Sequence, residues 1–185
     1  MRRSSCFLLA ALAVVAAATP AAAQERTASA GREGVFFFRA DVAFNRQMIP
    51  YTPDQVWTAL PEAYRLIGFS VRPSPSADGT RRDVVTPFMQ IRGQLYEGEP
   101  NSRYFECSRN SMTGPLADQG DVTFAMVSRV EPDDKGGTQL LTQLSARVKR
   151  RDASQYPIDC VSTGLLERTL AGFLKQHLDN QKIPQ

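Results

Sequence analysis

Few residues in this chain are of a type and spacing that could carry catalysis. Cys160-Val161-Ser162-Thr163-Gly164 has the outline of a nucleophile turn, but cysteine replaces the first glycine and no strongly apolar strand precedes it. Ser162 fits a helix cap better than a nucleophile. His177 is the single histidine, so any histidine-dependent acid–base step would have to use it. Because leucines surround it at helical spacing, a packing or helix-end role is favoured, and we predict no catalytic residue.

Metal and phosphate chemistry also lack a motif. The chain has three cysteines and one histidine, and their spacing does not match a zinc site. It contains no phosphate-binding glycine-rich loop, no His-Glu-x-x-His and no Ser-x-x-Lys. Solvation and turn formation explain the acidic residues of the polar loops, Asp118, Asp121, Asp133 and Asp134. We therefore expect no metal and no cofactor.

Residues 1–23 have the three parts of a secretory signal peptide. Met1-Arg2-Arg3 is a positive start, Phe7 to Ala18 is an unbroken apolar run of 12 residues, and Ala21-Ala22-Ala23 supplies small cleavage-site residues. A membrane anchor is the alternative, but a spanning helix needs about 20 apolar residues. We expect cleavage near Ala23-Gln24. The arginine pair and alanine-rich core indicate bacterial export, to the periplasm or the exterior.

Removing the signal changes both the charge and the cysteine count. The full chain has 22 basic and 19 acidic residues; losing Arg2 and Arg3 leaves 20 against 19, so the net charge falls from +3 to +1. Such a balance gives little support to a nucleic-acid partner. Cys6 precedes the apolar run, which disfavours lipid attachment. No later stretch is long and apolar enough to span a bilayer.

Cys107 and Cys160 remain as a pair. In an oxidising compartment an even pair usually forms a disulfide, with two separate buried thiols as the alternative. Closing this loop of about 54 residues would stabilise the fold by roughly 4 kcal/mol. A catalytic dithiol normally has close Cys-x-x-Cys spacing, so we expect a structural disulfide.

The mature chain is predicted to form one domain, 34–179, between a polar leader at 24–33 and a polar tail at 180–185. Val35-Phe36-Phe37-Phe38-Arg39 indicates a strand. Thr52-Pro53-Asp54-Gln55 predicts a capping box that opens a helix. Pro61 should kink that helix or divide it, and Gly68 suits the left-handed residue that ends it.

Strands dominate the middle of the chain. The sequence predicts strands at 69–72, at 83–94 with an edge or bulge at Pro87, and at 103–108. Residues 121–130 and 138–149 should form a hairpin with one buried and one mostly solvated face, on which Leu141 is the apolar exception. A final helix is expected over about 162–178, with Ser162 or Thr163 as its cap.

This element order predicts a two-layer α+β fold. A mostly antiparallel sheet of about five to six strands would pack against an N-terminal kinked helix and a long C-terminal helix. Trp57, Phe69, Phe88, Phe124 and Phe173 could line a cavity between the sheet and the C-terminal helix, although most aromatic residues of a domain this size fill its core. The basic groups Arg81-Arg82 and Arg147-Val148-Lys149-Arg150-Arg151 read as solvated strand ends, with an anionic ligand as the alternative.

One segment resembles a known family. Ile49-Pro50-Tyr51-Thr52-Pro53-Asp54-Gln55-Val56-Trp57-Thr58-Ala59-Leu60 is similar to the opening of the helix-grip domains of START and Bet v 1-like proteins, where a strand leads into a capped helix with a Val-Trp pair. The remainder agrees in element order. The chain is also similar to the helix-grip domains of periplasmic outer-membrane-assembly lipoproteins, but it lacks their lipid-attachment cysteine. The resemblance implies a fold and no particular ligand.

Three functions follow in order of support. The first is an exported, non-catalytic cell-envelope protein that acts as a binding or assembly module, its partner an unknown envelope protein. The second is a carrier of a small apolar ligand or lipid, held in a cavity lined by the five aromatic residues. The third is a hydrolase using Ser162 or His177, which requires these two side chains to lie close together in a cleft.

Overall fold

The computed structural model describes residues 43–75, 82–107, 114–150 and 156–181, all within one compact unit, Phe36–Gln185. The predicted signal peptide, the predicted leader, the predicted strand at Val35 to Arg39 and most of the predicted tail lie outside these ranges. The elements are β1 (Asn45–Ile49), α1 (Pro53–Leu66), β2 (Arg72–Pro75), β3 (Arg82–Val85), β4 (Met89–Arg92), β5 (Phe105–Glu106), α2 (Leu116–Gln119), β6 (Asp121–Pro132), β7 (Thr138–Lys149), β8 (Ile158–Ser162) and α3 (Leu165–Gln181).

The fold class is the predicted one, α+β with an open antiparallel sheet and a long C-terminal helix. The described residues form eight strands in the order β2-β3-β6-β7-β8-β5, with β1 also paired to β7 and β4 to β6. The strand number exceeds the predicted five to six because β1 and β8 match no predicted strand and the predicted strand at 83–94 is divided into β3 and β4. The segment that connects β4 to β5 contains a 3₁₀ turn, Asn101–Arg103.

The β6–β7 hairpin forms the centre of the sheet, as predicted. The two strands pair over 12 residues each, from Asp121 opposite Lys149 to Pro132 opposite Thr138. The turn closes with the amide of Asp133 donating to the Gly137 carbonyl at 2.9 Å. Because all other strands attach directly or indirectly to this hairpin, it sets the register of the whole sheet.

Pro87 lies in a β-bulge, one of the two predicted positions for it. Before the bulge, β3 places Val85 opposite Val127, and the amide of Thr86 donates to the Met126 carbonyl at 2.9 Å. After the bulge, β4 places Met89 opposite Phe124. The residues 87 and 88 therefore oppose the single residue 125, which shifts the register by one without requiring an N–H from proline.

The helix α1 begins and ends as its sequence predicts. Thr52 and Gln55 form the capping box: the Gln55 amide donates to Thr52 Oγ1 at 3.4 Å and the Thr52 amide to Gln55 Oε1 at 3.0 Å. At the other end Gly68 has φ +83°, and the Phe69 amide donates to the Tyr64 carbonyl at 2.9 Å, a Schellman-type end.

The predicted division of α1 at Pro61 is wrong, since one helix runs through it. Pro61 is exposed, whereas Leu60, Ala63 and Tyr64 beside it are fully buried. Packing of these residues holds the helix together across the missing backbone hydrogen bond, whose loss alone costs about 3 kcal/mol.

The helix α3 is displaced toward the C-terminus relative to the prediction. It begins at Leu165 because Ser162 is still the last residue of β8. The Leu165 amide donates to Thr163 Oγ1 at 3.4 Å, so Thr163 is the capping side chain of the two predicted candidates. The helix ends at Gln181, which makes the first two residues of the predicted tail helical.

The hydrophobic core lies between one face of the sheet and the helices α1 and α3. Side chains that alternate along β6 and β7 point inward, and those of α1 and α3 meet them. Fully buried members include Val56, Leu60, Val122, Phe124, Met126, Leu140, Val148, Leu166, Leu170 and Leu174. No described helix is long and apolar enough to cross a membrane.

The expectation that the opposite face of the hairpin meets water is wrong at its centre. Leu141 and Gln143 of β7 and Ala125 and Val127 of β6 lie on that outer face, yet all four are buried. Among the other residues on this face of the hairpin, Lys149 is exposed and the rest are half-buried. Alternation along a single strand identifies the face a residue is on, but it does not reveal how far that face is buried.

Candidate functional site

The predicted disulfide joins Cys107 to Cys160. In the β5–β8 ladder Phe105 lies opposite Ser162 and Glu106 opposite Val161. The next position of the same register places the two cysteines opposite each other, with their Cα atoms 4.1 Å apart. The bond spans 53 residues of sequence and ties the segment before α2 to the strand that leads into α3.

A second set of contacts fixes the other side of the short strand β5. The Thr163 amide donates to the Tyr104 carbonyl at 3.1 Å, and the Thr163 hydroxyl donates to the Arg103 carbonyl at 2.7 Å. Thr163 thus serves both α3 and the approach to β5. Together with the disulfide, these bonds fix the junction of β5, β8 and α3.

Ser162 has structural partners at this junction. Its hydroxyl donates to Glu167 Oε1 at 2.5 Å and accepts the Gly164 amide at 3.0 Å. Glu167 is 2% exposed in the first turn of α3, where the positive end of the helix dipole favours a carboxylate. Its second oxygen, Oε2, has no hydrogen-bond partner among the described residues. Sequence reasoning missed Glu167.

His177 lies far from Ser162. Its Nε2 is 2.8 Å from Nε2 of Gln181, one turn further along α3. The 12 residues from Leu165 to His177 correspond to roughly 18 Å of helix axis at about 1.5 Å per residue. The structure therefore places the two candidate catalytic residues at opposite ends of one helix.

Three buried, hydrogen-bonded hydroxyl groups connect α1 to the β6–β7 hairpin. The Tyr64 hydroxyl is 2.6 Å from Ser128 Oγ, which is 2.9 Å from Thr142 Oγ1. Burial raises the pKa of Tyr64, an effect that the hydrogen bond with Ser128 opposes and the Glu167 charge reinforces. The sequence contains a signal for these hydrogen bonds, because Ser128 and Thr142 are polar residues that interrupt the apolar inward faces of their strands.

Four of the five predicted cavity-lining aromatics, Trp57, Phe69, Phe124 and Phe173, lie in or against the core. The Phe69 and Phe124 rings make an edge contact with centroids 5.7 Å apart, and Phe105 contacts Phe124 at 5.4 Å. Phe69 and Phe124 are buried, while Trp57 is partly buried and packs against the same core. The structure thus brings Phe69 and Phe124 together, and Phe105, which the prediction omitted, joins them.

Phe173 and Phe88 lie apart from the Phe69–Phe124 pair, Phe173 at the edge of the core and Phe88 outside it. Phe173 on α3 meets Tyr96 edge-on with centroids 6.3 Å apart. Phe88 is 49% exposed at the bulge, away from the core. A surface depression of about 290 Å³ lies next to this bulge, and its lining contains none of the five predicted aromatics: it is formed by Arg72, Pro73, Ser74, Val85, Thr86 and Pro87.

Charged side chains join the ends of the helices and strands. The Tyr51 hydroxyl donates to Asp179, which also pairs with Lys175 Nζ at 2.5 Å. This links the residue before α1 to the end of α3. The hydrogen bond to the Asp179 carboxylate is the main cause that raises the pKa of Tyr51 to about 12, and burial adds to it.

The two predicted basic groups are partly described. Arg82 pairs with Asp54 of α1, and Arg147 pairs with Asp159 of β8 at 2.6 Å. Arg81 and Arg151 lie outside the described residues. Arg82 and Arg147 therefore have acidic partners that join neighbouring elements. Within the described part of the chain, no group of three or more His, Cys, Asp or Glu side chains is placed to hold a metal ion.

Comparison with known proteins does not assign a family. No family model and no curated protein matches the sequence. Among solved structures, the chain is similar to the crystal structure of a conserved protein from Geobacillus kaustophilus, with a TM-score of 0.34 and 14% identity over 74% of this chain and 93% of that one. A similarity of this extent indicates neither a fold nor a function for this chain.

Proposed function

We propose that this chain is an exported, non-catalytic cell-envelope protein that acts as a binding or assembly module. The Cys107–Cys160 disulfide is the observation that carries the proposal. Disulfides persist in oxidising compartments such as the bacterial periplasm and are rare in the cytosol. The signal-peptide pattern of residues 1–23 and this bond therefore point to the same compartment by independent routes.

The placement of the candidate catalytic groups supports a non-catalytic role. Ser162 donates its hydroxyl to Glu167 and accepts the Gly164 amide, so its hydrogen bonds stabilise the β8–α3 turn. His177 lies near the far end of α3 beside Gln181. A Ser–His nucleophile needs the two side chains within hydrogen-bond reach, about 2.6–3.2 Å.

A carrier of an apolar ligand or lipid is the second proposal, in line with the helix-grip resemblance. It requires an open cavity of roughly 300 Å³ or more between sheet and helix. The contacts of Phe69 and Phe105 with Phe124 argue against a cavity between these three rings, because the rings themselves fill the space. Trp57 and Phe173, both partly buried, are the two residues left to line such a cavity.

Native mass spectrometry of the protein isolated from its own cell envelope separates these functions. The binding-module proposal predicts a complex with a second protein at fixed stoichiometry. A complex whose added mass is that of a lipid would instead support the carrier. A protein recovered only from the cytoplasm, with residues 1–23 still attached, would contradict both proposals.

A further inference from the structure

A small depression lies at the edge of the sheet where β2 pairs with β3. Its volume is about 290 Å³, and within the described part of the chain it is lined by Arg72, Pro73, Ser74, Val85, Thr86 and Pro87. We call it the β2–β3 depression. In the ladder Arg72 lies opposite Val85, and Ser74 follows Arg72 by two residues. Because side chains alternate between the two faces of a strand, these three point to the same side of the sheet.

Backbone and side-chain bonds hold the walls of the depression in place. The Thr86 amide donates to the Met126 carbonyl, and the Met126 amide donates to Thr86 Oγ1, both at 2.9 Å. Thr86 is 3% exposed. The rings of Pro73 and Pro87 fix their own φ angles near −65°. A ligand would therefore meet a preformed surface, and its binding would require little ordering of the protein.

Arg72 brings a positive charge to the depression that the neighbouring acidic residues do not neutralise. Its side chain is exposed, and no described residue forms an ion pair or a hydrogen bond with its guanidinium group. Asp83 of β3 is held instead by Arg129, with Nε–Oδ1 and Nη2–Oδ2 distances of 2.9 and 3.2 Å. Asp54 of α1 pairs with Arg82. Because both carboxylates bind other arginines, the guanidinium of Arg72 is available to a ligand.

Ser74 and the apolar residues make up most of the remaining lining. Ser74 is half-buried, and its hydroxyl has no hydrogen-bond partner among the described residues. The Arg72 guanidinium and the Ser74 hydroxyl therefore supply hydrogen-bond donors from one face of β2. Pro73, Val85 and Pro87 contribute hydrocarbon surface beside them. A few polar groups set among apolar walls are the usual composition of a small-molecule site.

These two donors favour a carboxylate as the polar group of the ligand. A guanidinium group binds a carboxylate through two parallel N–H···O bonds, and a serine hydroxyl can donate to the same oxygens. Phosphorylated ligands are typically held by clusters of arginines, whereas Arg72 is the one cationic residue in the described lining. The volume lies at the lower end of the range for small-molecule sites, roughly 300–1,000 Å³. We infer that the β2–β3 depression binds a small organic carboxylate, with its carboxylate at Arg72 and Ser74 and its hydrocarbon part against the two prolines.

The β2–β3 depression is separate from the space between the sheet and the helices. Val85 lies opposite Val127, which belongs to the outer face of β6, whereas α1 and α3 pack against the inner face. Neither Trp57 nor Phe173 lines the depression. Binding of a carboxylate here is therefore independent of export, of a protein partner and of a lipid held in the core.

An NMR titration of the ¹⁵N-labelled mature protein, chain 24–185, with 3-phenylpropionate tests for binding. The backbone amide signals of Arg72, Ser74, Val85 and Thr86 should shift and saturate, because these residues line the depression. The absence of a saturable shift at these amides would overturn the inference.

Two comparison compounds test the chemical class of the ligand. 3-Phenylpropan-1-ol keeps the apolar body but replaces the carboxylate with a hydroxyl, and acetate keeps the carboxylate without the apolar body. Each should bind at least about tenfold more weakly than 3-phenylpropionate, because each lacks one of the two contacts. If either compound bound as tightly as 3-phenylpropionate, the assigned class would be wrong.

A matched pair of substitutions tests the role of Arg72. Arg72→Gln removes the charge from an exposed side chain and should weaken the binding of 3-phenylpropionate at least about tenfold. Arg46→Gln removes the same charge from an exposed position of β1, opposite Leu141 on the far side of the hairpin, and should leave the affinity unchanged. An unchanged affinity in Arg72→Gln, or equal weakening by the two substitutions, would overturn the inference.

Discussion

Cys107 and Cys160 face each other across β5 and β8, one position beyond the last paired residues, Glu106 and Val161. Because β5 contributes only two residues to its ladder, the disulfide is the principal covalent restraint on this edge of the sheet. It also closes the 53-residue separation that contains the whole β6–β7 hairpin. The junction of β5, β8 and α3 should therefore depend on it.

Removing the disulfide should destabilise the domain strongly. Cys107→Ala with Cys160→Ala should lower the free energy of unfolding by about 4 kcal/mol, the loop-closure entropy that the bond removes from the unfolded chain. Urea denaturation of the mature protein measures this. Reduced and alkylated wild-type protein is the control and should unfold at a similar midpoint. An unchanged midpoint in the double variant would show that the bond does not constrain the unfolded chain.

The capping box of α1 gives a second test. Thr52→Ala removes the oxygen that accepts the Gln55 amide and should cost about 1 kcal/mol. Thr58→Ala is the matched control: the same side chain is lost from the exposed helix surface, where Thr58 donates to the Asp54 carbonyl. Since alanine is the better helix former, this change should be neutral or slightly stabilising in urea denaturation. Equal losses would contradict the assignment of the cap.

Two glycines should respond in opposite directions to alanine. A Cβ at Gly120 would collide with the Val148 side chain and lie 2.8 Å from the Lys149 carbonyl oxygen, so Gly120→Ala should cost about 1–3 kcal/mol through overpacking. Gly172 is exposed within α3 with open space around its Cβ position. Gly172→Ala should stabilise by about 0.5–1 kcal/mol. Thermal unfolding midpoints that move in the same direction would contradict this packing.

The buried hydroxyl of Tyr64 predicts a loss of stability in alkaline solution. Its pKa is raised above 10.0 in the folded state, so the folded chain holds this proton more tightly than the unfolded one. The resulting stability is fully present below pH 10 and is lost as the pH rises above it. Tyr64→Phe should cost about 1 kcal/mol at pH 7, through the lost Ser128 hydrogen bond.

Urea denaturation between pH 8 and 11 measures this effect. The stability gap between wild type and Tyr64→Phe should narrow as the pH rises above 10. Tyr156→Phe, at an exposed ring, should parallel the wild type throughout. A gap that stays constant would show that the Tyr64 proton is held no more tightly in the folded chain.

The features that the sequence predicts correctly depend on neighbouring residues. Thr52 and Gln55 lie three positions apart, Gly68 lies two residues after the last residue of α1, and the turn of the β6–β7 hairpin lies between its own strands. The disulfide is the long-range exception, and it was predictable because the predicted removal of Cys6 leaves only one pair of cysteines. In each case the sequence contains all of the interacting groups within a few residues or offers no other partner.

The features that the sequence did not predict depend on contacts between distant segments. The pairing of β1 with β7 joins residues far apart in sequence, and so do the hydrogen bonds that link the hydroxyls of Tyr64, Ser128 and Thr142. The continuity of α1 through Pro61 depends on packing that outweighs a local preference. The burial of Leu141 on the outer face is likewise not revealed by periodicity within β7.

Intact-mass analysis of the protein isolated from the envelope of its own cells tests whether the protein is exported and whether its cysteine pair is oxidised. We expect a chain that begins at Gln24 and is two hydrogens lighter than its reduced form. Iodoacetamide should add no mass until a reductant is supplied. A chain that still carries residues 1–23, or one whose Cys107 and Cys160 react with iodoacetamide before reduction, would contradict the claim.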